Sequence, residues 1–140
     1  MAIAVMPLQS NEFDDGLVLA RLGHARVGEA LWREELAAVS RGPLKGGALL
    51  ARTSDGRACG LILYCIEAVV DGPPSVQVVR LVAFDLMDPE AIANALVEEA
   101  FRLARLQGCQ TLRLVQPLSQ SPDARVLVLK SGVAELHSLF

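Results

Sequence analysis

Two side chains in one apolar run have the chemistry of an acid–base pair. Glu67 lies within Ala58 to Val70, where burial raises a carboxyl toward the range of a general base. The alternative is structural: a strand-end position, or an ion pair with an arginine such as Arg80. Tyr64 is three residues away, on the opposite parity of the same run. It is either a general acid or a core residue. A third chemical feature is Asp88-Pro89-Glu90-Ala91-Ile92-Ala93. Asp is a good N-cap and Pro suits the first helical position. A helix start offers free N–H groups to an anion, but the Asp88 carboxylate competes for them and Glu90 adds a second negative charge.

The other reactive residue types form no pattern. His24 and His137 share no metal-ligand spacing, so no metal is expected. Ser10, Ser119 and Ser121 lack a nucleophile-elbow context. Cys59, Cys65 and Cys109 are odd in number and have no Cys-x-x-Cys spacing, which argues against a zinc site or a disulfide framework. On one strand, Cys59 and Cys65 are about 20 Å apart, beyond the about 7 Å a disulfide spans. Reduced thiols and a cytoplasmic protein are the expectation.

Composition narrows the classes further. The 140 residues are 52% hydrophobic and 21% charged, which excludes intrinsic disorder and predicts one domain over residues 1–140. The net charge is −3 and aromatic residues are 4%. A nucleic-acid partner is therefore not expected. Met1 to Pro7 has no basic lead, and the apolar runs are far shorter than the ~20 residues of a membrane span. Neither a signal peptide nor a membrane partner is expected.

The elements that must position these residues follow from local signals. Ile3 to Leu8 predicts a strand. Ser10 to Ala25 reads as loosely helical, and Gly28 separates it from a second helix, Glu29 to Val39. Trp32 on that helix is a packing anchor or part of an interface. Strands are predicted at Ala48 to Thr53, Ala58 to Val70 and Val76 to Phe84. Ser54-Asp55-Gly56-Arg57 and Asp71-Gly72-Pro73-Pro74-Ser75 form the turns between them. The middle strand is apolar on both parities, so it is central and covered on both faces. Asp88 to Gln107 is the strongest helix, with Glu90, Glu98 and Glu99 early and Arg102 and Arg105 late, the order the helix dipole favours. Arg102, Arg105 and Arg113 read as solvated. Thr111 to Val115 predicts a strand, Ser121 to Lys130 a helix and Val133 to Phe140 a last strand. The order β-α-α-β-β-β-α-β-α-β predicts an α/β (α+β) mixed sheet with helices on both faces.

One stretch adds a resemblance. Val78-Val79-Arg80-Leu81-Val82-Ala83-Phe84, the helix Ala93-Asn94-Ala95-Leu96-Val97-Glu98-Glu99-Ala100, then Gln107-Gly108-Cys109 and Thr111-Leu112-Arg113-Leu114-Val115 resemble the GNAT superfamily of N-acetyltransferases. Ala124, Leu127 and Gly132 match a second family pattern. The resemblance covers about 95 residues. It implies a GNAT-like acyl-CoA N-acyltransferase fold and transfer of an acetyl group from acetyl-CoA to a small-molecule or peptide amine. The backbone of Val82 and Ala83 would hold the pantetheine, and Ala91, Ile92 and Ala93 would face the phosphates. Glu67 and Tyr64 would be the catalytic pair.

The chain departs from the family where that chemistry lies. Of the phosphate loop Arg/Gln-x-x-Gly-x-Gly/Ala only Ala93 agrees. Asp88 replaces the cation, Ala91 the first glycine, Val128 the tyrosine that often protonates the leaving thiolate and Ser121 the asparagine. Weak or lost cofactor binding is therefore expected, and a non-catalytic interaction or small-molecule-binding module is the alternative. One strand follows Gly132 where the family usually has two. A homodimer is accordingly expected, through that sheet edge or the Trp32 helix.

Overall fold

The computed structural model describes residues 2–85, 88–114, 118–120, 126–129 and 134–137. Strand β1 (Ile3–Pro7) and a 3-10 turn (Ser10–Glu12) lead into α1 (Phe13–Gly23) and α2 (Glu29–Val39). Strands β2 (Gly47–Thr53), β3 (Ala58–Val69) and β4 (Gly72–Phe84) follow. They lead to α3 (Pro89–Arg105), β5 (Thr111–Leu114), β6 (Leu118–Gln120), β7 (Val126–Leu129) and β8 (Ala134–His137). The sheet order is β1-β2-β3-β4-β5-β8, with β7 paired to β4 and β6. Strands β3 and β4 are antiparallel, whereas β4 and β5 are parallel and joined through α3. This is the mixed sheet expected from the turn chemistry and the helical crossover.

Strand β3 is covered on both faces, as its apolar parities require. One face packs Leu61 and Leu63 against α1 and α2 through Leu17, Ala20 and Trp32. The other packs Ile62, Tyr64 and Ile66 against Ile92, Leu96, Ala100 and Ala104 of α3. Each buried leucine or isoleucine among these stabilises the fold by roughly 1.5–3 kcal/mol. Trp32 is fully buried, and its Nε1 donates to the Phe13 carbonyl at 3.2 Å. It is therefore the anchor between α1 and α2, and the interface role expected for its side chain does not hold.

Helix α3 lies close to the sheet because Gly60 leaves room for it. A Cβ at Gly60 would lie 2.7 Å from Ile92 Cγ2 and 2.9 Å from Leu96 Cδ1. The first turn of α3 is thereby held against β3, near the end of β4. Strand β4 also changes parity. Its register against β3 steps from Tyr64↔Val78 to Leu63↔Arg80, leaving Val79 as an extra residue. Val76 and Val78 face α3 before this bulge, and Leu81 and Ala83 after it.

Three sequence expectations need correction. The turn after β3 is shorter than Asp71–Ser75, because Val69 pairs with Gly72 and Asp71 takes a left-handed φ of 63°. Pro73 and Pro74 belong to β4, at a ladder irregularity where their missing N–H groups cost no regular bond. The helix expected from Ser121 to Lys130 is absent over Val126–Leu129, which is strand β7. Positions 121–125 and 130 are outside the described residues. Val-Leu-Val-Leu is rich in β-branched residues, and β4 and β6 supply partners on both sides. Arg80 pairs with Glu35 instead of Glu67. Its Nε and Nη2 reach the two Glu35 oxygens at 2.6 and 2.8 Å, tying α2 to the bulge.

Candidate functional site

The region where the sequence predicts cofactor contacts is built from the end of β4 and the start of α3. Pairing between β4 and β5 covers Ser75–Val78 and Thr111–Leu114. Its near end is stitched by Thr111 Oγ1, which donates to Ser75 Oγ at 2.8 Å. Further along β4, the neighbour on this side is β7, which runs antiparallel with Val82 opposite Val128, Ala83 opposite Leu127 and Phe84 opposite Val126. On the other side, Val82 and Ala83 face Leu61 and Gly60 of β3. The main chain proposed to hold a pantetheine thus lies between two strands of the same chain.

The phosphate end is occupied by the chain's own carboxylates. Asp88 Oδ1 accepts the Ala91 N–H at 3.1 Å. Asp85 is buried, and its Oδ2 accepts the Asp88 N–H at 2.6 Å. Pro89 has no N–H. Of the residues expected to face phosphates, Ala91 is exposed, while Ile92 and Ala93 turn into the core under α3. Asp85, Asp88 and Glu90 bring three carboxylates to one helix start. The sequence reading missed Asp85, although an Asp three residues before an N-cap Asp is a local signal for such a turn. These residues do not fit a pyrophosphate. Two of the amides have carboxylate partners, and the nearby side chains repel an anion where the family's motif supplies a cation.

Glu67 and Tyr64 are not brought together. Glu67 is exposed on the α1–α2 face and stands opposite Ser75. The Gln77 amide, with its nitrogen turned toward Glu67, donates to that carboxylate. Six residues separate Glu67 from Leu61, so it lies roughly 20 Å along the strand from the cofactor end. Tyr64 is buried on the α3 face. Burial foremost, and then the Glu99 charge, push its phenol above the ordinary value, so it keeps its proton. Cys59 and Cys109 are buried, Cys65 is partly so, and burial raises all three thiols. Among the described residues no group of three or more His, Cys, Asp or Glu is arranged to hold a metal ion. Nor is any helix among them long and apolar enough to cross a membrane.

No protein-family model matches the chain, and no curated protein matches it by sequence. Solved structures do. An aminoglycoside N-acetyltransferase in complex with CoA superposes with a TM-score of 0.66 at 14% identity, over 79% of this chain and 74% of that one. The ribosomal-protein-S18-alanine N-acetyltransferase from Escherichia coli gives 0.59 at 12% identity, over 95% and 96%. The GCN5-related glucosamine N-acetyltransferase region of a fungal multi-domain β-N-acetylglucosaminidase gives 0.66 at 16% identity. That match covers 80% of this chain, which spans 13% of the fungal one. With identities this low the likeness is one of architecture, and it agrees with the sheet order and the helical crossover described above: the chain has the fold of the GNAT acetyltransferases.

Proposed function

We propose that this chain uses the GNAT fold as a binding module and does not carry out acetyl-CoA-dependent acyl transfer. The observation that carries this reading is the start of α3, where Asp88 and Asp85 accept the N–H groups of Ala91 and Asp88. A phosphate would have to displace a bonded carboxylate there and accept its repulsion. The pairing of β7 along Val82–Phe84 supports the same reading, since an incoming pantetheine would meet a strand in place of a free edge. The partner would be a small molecule or a protein segment, and the three free cysteines suit a reducing, cytoplasmic setting.

A second reading is an N-acyltransferase acting with acetyl-CoA on a small-molecule or peptide amine. It is favoured by the shared architecture, a mixed sheet in which the parallel β4 and β5 are joined through α3. In that reading Glu67 is the one of the two candidate catalytic groups that solvent reaches, and Tyr64 is the core acid. Calorimetric titration with acetyl-CoA separates the two. The binding-module reading expects no saturable binding in the micromolar range. A Kd below about 10 μM, near −7 kcal/mol, together with acetyl transfer to a panel of amines, would overturn it.

A further inference from the structure

We propose that the β1 edge is a self-association surface, on which a second copy of the chain adds its own β1 antiparallel to form one continuous sheet. Strand β1 ends the sheet order, and among the described residues it pairs only with β2. The register shows which of its groups are committed. The Leu8 N–H donates to the Ala48 carbonyl at 2.9 Å. In an antiparallel ladder the bonded pairs alternate, so Met6↔Leu50 and Ala4↔Arg52 are bonded to β2 as well. The main-chain groups of Ile3 and Val5 therefore point outward.

Natural sheet edges are protected by charge, by proline where an N–H would point outward, or by covering segments. Ile3-Ala4-Val5-Met6 carries no charge. Pro7 is at the end of the strand, outside the segment that pairing needs. When two copies meet about Ala4, Ile3 of each faces Val5 of the other, and four N–H···O bonds close without involving Pro7.

The flanks fit a second copy better than an unrelated strand. On the α3 side, Ile3 and Val5 border a groove of about 460 Å³ whose opposite wall carries Glu98, Glu99, Arg102 and Arg105. A two-fold axis beside β1 reverses the direction of α3 in the partner. Within each copy Arg102 already holds Glu99 at 2.7 Å, and the reversed direction sets the acidic turn of one copy beside the basic turn of the other, so the wall opposes no like charge to a second copy. On the other face, Met6 is 62% exposed and gains cover from the added strand.

The test is sedimentation of the unmodified chain and of Val5→Pro at about 50 μM, a concentration that populates interfaces of ordinary strength. The Val5 N–H faces away from β2, so this substitution removes two of the four bonds between copies and none within the sheet. A dimer is expected for the unmodified chain, with a Kd at least tenfold higher for Val5→Pro. Hydrogen exchange on the unmodified chain gives an independent measure that does not rely on the variant folding. The Ile3 and Val5 amides should be protected at high concentration and exposed on dilution, whereas the Met6 amide should be protected throughout. A monomer at that concentration would overturn the proposal. So would a dimer whose Ile3 and Val5 amides exchange freely.

Discussion

If the first turn of α3 stabilises itself with the groups a phosphate would need, removing Asp88 should have two opposite effects. In Asp88→Ala the bond from the Ala91 N–H, 3.1 Å long in the parent, is lost. Loss of an N-cap costs about 1 kcal/mol, which urea denaturation resolves easily. The same change frees one amide and removes one negative charge from the helix start. A unit charge about 4 Å from an anion contributes roughly 1 kcal/mol in water and about 4 kcal/mol at an effective dielectric of 20. Asp88 is exposed, so the lower value applies, and the charge contributes a gain of about fivefold in affinity.

Asp88→Asn separates the two effects, because Asn caps as well as Asp. Its stability should stay within about 0.5 kcal/mol of the parent, and its gain should come from charge alone and be smaller than that of Asp88→Ala. The ligand for this experiment is ADP, which has a pyrophosphate and no pantetheine, titrated calorimetrically at low and high salt. Screening should shrink both gains. Acetyl-CoA should gain less than ADP, because its pantetheine still meets β7 along Val82–Phe84. Unchanged stability of Asp88→Ala, or unchanged ADP affinity in both variants, would refute the reasoning. Equal gains for ADP and acetyl-CoA would show that β7 does not obstruct the edge.

Three further outcomes follow from the packing. Glu35→Ala leaves the Arg80 guanidinium largely buried without its bidentate partner and should cost about 2–3 kcal/mol in urea denaturation; adding Arg80→Met should recover part of that loss. Gly60→Ala drives a Cβ against Ile92 and Leu96 and should cost about 1–3 kcal/mol, with a loss of near-ultraviolet dichroism as α3 lifts from the sheet. The Arg52 guanidinium foremost, and then the Gln9 N–H, hold Glu12 below its ordinary value of 4.5. A group lowered on folding contributes stability above its unfolded value and loses it as pH falls through the folded one, so Glu12→Gln should flatten the decline in stability below pH 4.5 while the parent falls more steeply.

What was legible in the sequence was local. Asp55-Gly56 specified a hairpin because Gly56 takes a φ of 87°, and Asp88-Pro89 specified a helix start because cap and first-turn chemistry lie within four residues. The apolar residues on both parities of Ala58 to Val70 announced a strand covered on both faces. Pairings set by distant segments were not legible. The partner of Arg80 is 45 residues away in Glu35, and the extra residue at Val79 turns Arg80 toward α2. Strand β7 was misread for a different reason. Ser121-Pro122 reads as a helix start and Gly132 as its stop, while Val126-Leu127-Val128-Leu129 by itself favours a strand. The propensity of the segment was the better guide there, because start and stop signals mark the ends of an element and not its type.

The same division separates the residues that hold the fold from those that would hold a cofactor. The frame of the cleft consists of core residues: Gly60, Ile92 and Leu96 seat α3, and the Val79 bulge sets which side chains of β4 face it. Changing any of these costs packing energy whether or not a ligand is bound. The phosphate end is different. A helix start that binds an anion must hold its amides open to solvent until the ligand arrives, and glycines in its loop add conformational freedom to the unfolded chain. Placing Asp at the cap, Pro at the first position, Glu in the first turn and Ala in place of glycine each stabilises the free helix by a few tenths to about 1 kcal/mol. Where phosphate binding does not constrain positions 88–91, helix stability favours the residues found there, three of them exposed and Pro89 buried. The acidic, capped start of α3 is the one expected of a helix that covers the sheet, in line with the binding module proposed above.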